Sequence, residues 1–283
     1  MELEGKVALV SAAGRGIGRA IAVALAEAGA RVVVNSYGED TTSATAQAVE
    51  DAGSQALAFP GDITRAPIIL DCVQAALDAF GQIDILVNNV GAGPKEAIEP
   101  EDHVLGPVAA MWDVMYAQNL RPAVLMTEAV LPHMKAAGGG KIINISSIAG
   151  RHSLSDGMLK FFTPPAYGAM KAALVSHTQT MAELYGPDNI NVNAICPGIV
   201  WTDAWLGNAT RAVKTLPQFE GQDPREWFEG IARGDYPGLF DRTPMRREQT
   251  VEDIGNAAVF LASDKSANIT GQSLMVDGGM IKI

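Results

Sequence analysis

Cysteine is nearly absent from this 283-residue chain: Cys72 and Cys196 stand far apart, with no CxxC pair. That excludes a disulfide framework and a thiolate zinc site, and it points to a reducing cytoplasm. Histidine is as sparse. His103, His133, His152 and His177 form no HExxH or other close ligand pair, so no catalytic metal is expected. Basic residues are outnumbered, 21 Lys and Arg against 32 Asp and Glu, for a formal net charge of -11. Such a chain gains no counterion release from phosphate backbones and is repelled by anionic lipid, so neither nucleic acid nor a membrane surface is an expected partner. No apolar run reaches bilayer length, and "MELEGKVALV" lacks the basic start and long apolar core of a signal peptide. With 48% hydrophobic and 19% charged residues, the composition is that of a compact soluble globule.

What is present is an alternation. Short Val- and Ile-rich runs at Val7–Val10, Arg31–Val34, Ala56–Phe59, Ile83–Val87, Lys141–Ile145, Ile190–Ile195 and Leu274–Val276 are separated by longer amphipathic stretches such as "GRAIAVALAEAGA" and "TVEDIGNAAVFLAS". Apolar runs of that length suit parallel strands covered on both faces. The expected fold is α/β, a doubly wound parallel sheet of about seven strands in a single domain. Ligands in such sheets bind at the carboxyl ends of the strands. Residues 202–247 carry Trp205, Trp227 and several prolines with no strand signal, which suggests a substrate lobe or lid.

The first strand runs into "SAAGRGIG", with Gly14, Gly16 and Gly18 ahead of a helix. Glycines there permit a tight turn and close approach to a pyrophosphate, and the helix N-terminus offers unpaired N–H groups, as in a Rossmann dinucleotide site. Further on, "TPPAYGAMKAAL" sets Tyr167 and Lys171 four residues apart, so a phenol and an ammonium share one helix face. Taken alone, the pair is more simply read as a half-buried aromatic beside a surface lysine than as catalysis.

Taken together, these motifs resemble the short-chain dehydrogenase/reductase family in chain order. "SAAGRGIG" is similar to its TGxxxGxG signature, with Ser11 replacing Thr and Ala12 replacing the first Gly. An alanine at position 12 is expected to favour an ordinary backbone conformation. The resemblance implies that Ser11, Gly14, Arg15, Gly16, Ile17 and Gly18 meet the cofactor. It places Asp62 of "GDIT" by the adenine amino group and Ile63 against the ring. "LVNNVG" resembles the NNAG motif, so Asn89 and Gly91 would face the cofactor. Pro197, Gly198, Val200 and Thr202 of "ICPGIVWTD" would hold the nicotinamide end. Asn119 of "NLRP", Ser147 of "INISSIAG", Tyr167 and Lys171 are the implied catalytic set.

By the same resemblance, Tyr167 exchanges a proton with the substrate oxygen while hydride passes between a nicotinamide and carbon. Ser147 binds that oxygen, Lys171 grips the ribose and lowers the tyrosine pKa, and Asn119 helps hold a relay water. Ser36 stands where an acid at the end of the second strand would exclude a 2'-phosphate, and Arg15 can neutralise that phosphate. NADP(H) is therefore favoured; NAD(H) is the alternative, should Glu39 or Asp40 take the ribose. Trp201, Trp205, Met158, Phe161 and Phe162 are candidates to line a pocket for an apolar or cyclic carbonyl or alcohol substrate, or simply to pack the lid. A 3-oxoacyl thioester is the alternative substrate, with "DRTPMRRE" as a basic patch for an acidic carrier. A remoter alternative is a regulator that binds nucleotide without chemistry. The family resemblance also implies a homotetramer built on the helices around Val108–Lys135 and Ala166–Tyr185.

Overall fold

The sequence VALV forms β1 (Val7–Val10), and all four side chains are buried, as a strand covered on both faces requires. With β2 (Arg31–Ser36), β3 (Ala56–Pro60), β4 (Ile85–Asn88), β5 (Gly140–Ile145), β6 (Ile190–Pro197) and β7 (Ser273–Val276) it makes one parallel seven-stranded sheet in the order β3-β2-β1-β4-β5-β6-β7. The computed structural model describes residues 1–91, 104–237 and 243–282, with all their side chains except those of Asp156, Lys160 and Phe161. All seven expected strands form. The fourth begins at Ile85 rather than Ile83 because Asp84 turns its carboxylate to the Val7 N–H at 2.8 Å, closing the entry to the strand.

Helices cover both faces. On one lie α1 (Gly16–Glu27), α2 (Glu39–Asp51) and, from the far end of the chain, α10 (Val251–Ala262), with Ile21, Leu25, Val49, Ile254 and Leu261 buried against Ala8, Val10 and Val34. Small residues let α1 and α10 approach: a Cβ on Gly255 would sit 3.1 Å from the Ala24 Cβ. A capping box starts α10, with Thr250 Oγ1 accepting from Asp253 N and Asp253 accepting from Thr250 N. On the other face α3 (Ala66–Phe80), α5 (Arg121–Ala137) and α7 (Pro165–Tyr185) bury Ile69, Met126, Met134 and Met181 against Val7, Leu86 and Ile142. The run from Val108 to Lys135 is two helices, not one. α4 (Gly106–Asn119) stops at Leu120, where Pro122 withholds the N–H that a continuous helix would need. Among the described residues no helix is long and apolar enough to cross a membrane.

Residues 202–247, which carry no strand signal, hold α8 (Asp203–Thr215) and α9 (Pro224–Arg233), and the short α6 (Asp156–Phe161) precedes α7. Asp223 caps α9, accepting from Arg225 N at 2.9 Å and Glu226 N at 3.0 Å. A third core seats them: Trp227 and Phe228 are 0% and 2% exposed. Trp227 packs its ring 5.8 Å from Phe162, 5.7 Å from Phe219 and 5.9 Å from Tyr236.

The glycine turn departs from expectation at one residue. Ala12 has φ of 49°, in the left-handed region, rather than an ordinary conformation. Neighbouring bonds hold it there: Ala13 N donates to Asn35 O at 2.7 Å, and Asn89 Nδ2 donates to Ala12 O at 3.1 Å. A Cβ in that region costs about 1 to 2 kcal/mol, part of which glycine would return as unfolded-chain entropy. Ala12→Gly is therefore expected to raise the melting temperature by about 2 °C. A lower melting temperature in a thermal scan would mean that the Ala12 methyl contributes packing instead.

Candidate active site

The strand order reverses between β1 and β4, which opens a crevice at the carboxyl ends of the strands. Pro164 and Pro165 start α7 at its rim, the proline at the first helical position having its φ already set. Tyr167 thus lies in the first turn, and Lys171 follows one turn on. The phenol is half-buried. Lys171 is 2% exposed; its Nζ donates to the Ile145 carbonyl at 2.9 Å and stands 5.7 Å from the Tyr167 ring centroid.

The two serines after β5 separate by geometry. Ser146 Oγ donates to the Lys171 carbonyl at 2.9 Å, deep in the core. Ser147 lies close enough to the Tyr167 phenol to oppose its upward shift, and accepts from Ala149 N at 3.2 Å. Both contacts need α7 close to the turn after Ser147, and glycines permit it. A Cβ on Gly150 would meet the Lys171 carbonyl carbon at 2.6 Å, and one on Gly168 would meet Ala149 O at 3.2 Å.

Desolvation, not the nearby ammonium, sets the direction of the phenol's shift. Burial pushes Tyr167 above its ordinary value, with the Ser147 hydrogen bond acting the other way. The same desolvation pulls Lys171 down to about 8. Both groups lose hydration on entering one site, and the ammonium directs its hydrogen bond to a backbone carbonyl rather than to the ring.

Asn119, the last residue of α4, is fully buried and donates to Met115 O at 3.1 Å. Gly91 brings the chain between it and Lys171. With φ of 149°, a Cβ there would stand 2.6 Å from Lys171 Nζ and 2.8 Å from Asn119 Oδ1. Behind this meeting point runs a buried polar chain that the sequence did not flag: Asn88 Nδ2 donates to Thr127 Oγ1 at 3.1 Å and Asn144 Oδ1 at 2.9 Å, and Asn144 Nδ2 donates to Thr178 Oγ1 at 2.9 Å. It locks the ends of β4 and β5 to α5 and α7.

The glycine loop has the form of a phosphate cradle. Arg15 precedes α1 and no side chain caps that helix, so the N–H groups of its first turn are left without a side-chain acceptor. A Cβ on Gly14 would meet Ser36 Oγ at 2.5 Å and Thr41 Oγ1 at 2.7 Å; one on Gly16 would touch Thr202 Cγ2 at 3.4 Å. Gly18 packs on Asn89 Nδ2 and Ala12 O, with no room for a side chain. Glycines that keep Cβ atoms out of the space bounded by Ser36, Thr41 and Thr202 fit a dinucleotide. Thr41 escaped sequence reasoning, although a hydroxyl in the first turn after β2 was a usable signal.

Not every expected contact faces that cradle. Ser11 is 1% exposed and pins the loop to β4, donating to Val87 O at 3.2 Å and accepting from Asn89 N at 2.9 Å. It braces the site from behind, because both its hydrogen-bonding directions are already taken by backbone. Ile63 is buried among Val33, Ile69 and Cys72, so the core claims most of its side chain. Asp62 closes a turn by accepting from Thr64 N and Oγ1 at 3.0 and 2.7 Å. Pro197 and Val200 are buried, while Gly198 and Thr202 are half-exposed. Arg15 pairs with Asp203 at 3.2 Å, both largely in solvent.

Among the candidate pocket residues, Met158 is 6% exposed and belongs to the third core. Phe162, Trp201 and Trp205 are half-buried and pack on one another's neighbours: Trp201 meets Phe228 edge-on at 4.8 Å, and Trp205 lies 5.9 Å from Phe162. The side chain of Phe161 lies outside the described residues, as do residues 92–103, His103 among them, and Asp241 and Arg242 of the basic stretch.

Comparison with known proteins agrees with this geometry. Residues 6–211 match the family model for short chain dehydrogenase, and residues 235–281 match the one described as enoyl-(acyl carrier protein) reductase. A 7alpha-hydroxysteroid dehydrogenase of Escherichia coli is 32% identical over 283 residues, covering 100% of this chain and 96% of that protein. A solved 7alpha-hydroxysteroid dehydrogenase with NADH and 7-oxo glycochenodeoxycholic acid shares 34% identity with a TM-score of 0.78, covering 98% of this chain and 95% of that one. L-sorbose reductase from Gluconobacter frateurii, with NADPH and L-sorbose, shares 31% identity with a TM-score of 0.84 over 100% of both chains. By family match, fold and full-length likeness alike, the chain belongs to the short-chain dehydrogenases, oxidoreductases that act on alcohol and carbonyl groups with a nicotinamide cofactor.

Proposed function

We propose that this protein is an NADP(H)-preferring reductase of a cyclic or largely apolar carbonyl compound, with Tyr167 as the acid. The observation that carries it is the Tyr167 phenol, set beside Ser147 with the Lys171 ammonium buried behind it. A reduced nicotinamide, when bound, supplies hydride to the carbonyl carbon. A phenol held above its ordinary pKa stays protonated at neutral pH, the form that can give a proton to the oxygen as it becomes an alkoxide. Ser147 donates a hydrogen bond to the same oxygen. Lys171, still charged at neutrality, stabilises the phenolate that remains, and Asn119 at the helix break helps hold the water that returns the proton.

Preference for a 2'-phosphate is supported at the adenosine end. Ser36 and Thr41 present hydroxyls, while Glu39 and Asp40 are exposed at the start of α2. Arg15 is tied only by an exposed ion pair to Asp203, and such pairs are worth about 1 kcal/mol or less, so a phosphate can take it. Phe162, Trp201 and Trp205, with Met158 behind them, supply an aromatic wall that favours a ring-bearing substrate, and α8 and α9 act as its lid. Solved relatives take both a bile-acid derivative and L-sorbose. A thioester substrate is the second reading, supported by the enoyl-(acyl carrier protein) reductase match and by exposed Arg246 and Arg247. The buried free thiols of Cys72 and Cys196 suit a cytoplasmic setting. A homotetramer is supported by α4, which presents Val108, Met111, Trp112 and Tyr116 to solvent.

Screening NADPH oxidation across cyclic diketones, steroids, sugars and acyl thioesters identifies the substrate, and thioesters alone being turned over would favour the second reading. On the best substrate, Tyr167→Phe is expected to lower kcat by about 10² to 10⁴ with the cofactor Kd unchanged. The wild-type reduction rate should be level below pH 7 and fall as pH rises through about 8, where Lys171 loses its charge. A rate level to pH 9 removes the lysine from the scheme. NADPH is expected to exceed NADH in kcat/KM, and Arg15→Gln to cut that ratio about tenfold; a wild-type preference for NADH overturns the assignment. Sedimentation should give four chains per particle, and a monomer at micromolar concentration rules that out.

A further inference from the structure

Arg225, at the start of α9, is held more tightly than its partial exposure suggests. Its Nη1 donates to Glu248 Oε1 at 2.8 Å and its Nη2 to Glu248 Oε2 at 2.5 Å, a two-pronged pair. Its Nε stands 3.1 Å from Glu229 Oε1. The guanidinium carbon lies 4.8 Å from the Trp201 ring centroid and 5.8 Å from that of Phe228. Pairing and ring contact together fix a planar cation in one orientation, which the exposed Arg15–Asp203 pair does not achieve.

The partners matter because of where they sit. Trp201 lies between Val200 and Thr202, in the segment after β6. Glu248 adjoins Gln249, which pairs with Val200 in a parallel bridge and whose Nε2 donates to Asp277 O at 3.1 Å. One side chain therefore joins α9 to Trp201 on one side and, through Glu248, to the strand-like partner of Val200 on the other. Keeping α9 folded does not require this. The helix is seated by the fully buried Trp227 and Phe228 and capped by Asp223.

We propose that Arg225 is a positioning residue for the nicotinamide end of the cofactor. With Glu248 it immobilises the Trp201 indole, and through it the Val200–Thr202 backbone, so the seat is formed before the cofactor arrives. A preformed seat strengthens binding by avoiding the ordering cost. This rests on the reading that Pro197–Thr202 holds the nicotinamide.

The test separates the two ends of the cofactor. Calorimetry on the whole protein measures Kd for NADPH and for adenosine 2',5'-bisphosphate, or for NADH and ADP should those bind better. Arg225→Met is expected to weaken the dinucleotide about tenfold and leave the fragment within twofold, with little change in melting temperature. Arg225→Lys restores part of the loss. Glu248→Gln gives a smaller loss of the same kind, and none when added to Arg225→Met; it also serves should Arg225→Met fold poorly. Equal changes for dinucleotide and fragment, or no change for either, overturn the proposal. Thr202→Ala tells the failures apart. Weakened dinucleotide binding there, with Arg225→Met unaffected, sinks only Arg225, whereas no effect of Thr202→Ala removes the segment's assignment as well.

Discussion

Lys171 carries an ammonium to a place where 2% of the residue reaches water, and the Ile145 carbonyl receives it at 2.9 Å. Burying a cation against so few partners is costly, and the pull of its pKa to about 8 is that cost in another form. Much of the surrounding sequence follows from keeping the group in place. Gly91 must lack a side chain, because the space its Cβ would enter is taken by Lys171 Nζ and Asn119 Oδ1. Gly150 must lack one because the Lys171 carbonyl carbon stands there, and Ser146 meets the same carbonyl with its hydroxyl. Ser147 is then the serine left to turn toward the phenol.

Rigidity behind the site comes from polar rather than apolar contacts. Asn88, Asn144, Thr127 and Thr178 are buried and bonded in series across two strands and two helices. A fully satisfied network of this kind specifies register, since a slip of one residue would leave several buried groups without partners. The ends of β4 and β5, which deliver Gly91 and Ser147 to the crevice, are thereby fixed relative to the helix that carries Tyr167 and Lys171.

The sheet was legible because strands buried on both faces must be apolar runs, and Val7–Val10 and Ile190–Pro197 read as such. The candidate catalytic set was visible as motifs, since a phenol and an ammonium one helical turn apart are written in letters. What could not be read was whatever the backbone supplies or solvation decides. No letter announces that the Ile145 carbonyl is the acceptor. Nor does spacing say whether a nearby ammonium outweighs desolvation; here it does not, and the phenol moves up. Ala12 argued for an ordinary turn, yet bonds from its neighbours hold it at φ of 49°. Aromatic residues were the most ambiguous, since Trp201, Trp205 and Trp227 read alike in sequence. Only packing separates fully buried Trp227 from the two that keep part of their rings in solvent.

On the proposed function, that separation lets specificity vary without disturbing chemistry. The candidate reacting groups stand on the sheet and α7, held by the buried lysine and the polar network, whereas the proposed aromatic wall stands largely on residues with a core of their own. Substitutions at Trp205 or Phe162 alter a surface whose support is Trp227 and Phe228, not the residues that hold Tyr167. Trp201 is the exception, because it belongs to the β6 segment by sequence and to the lobe by its contact with Phe228. On the proposed function, the contacts around that indole are one place where substrate fit and cofactor seating would be coupled.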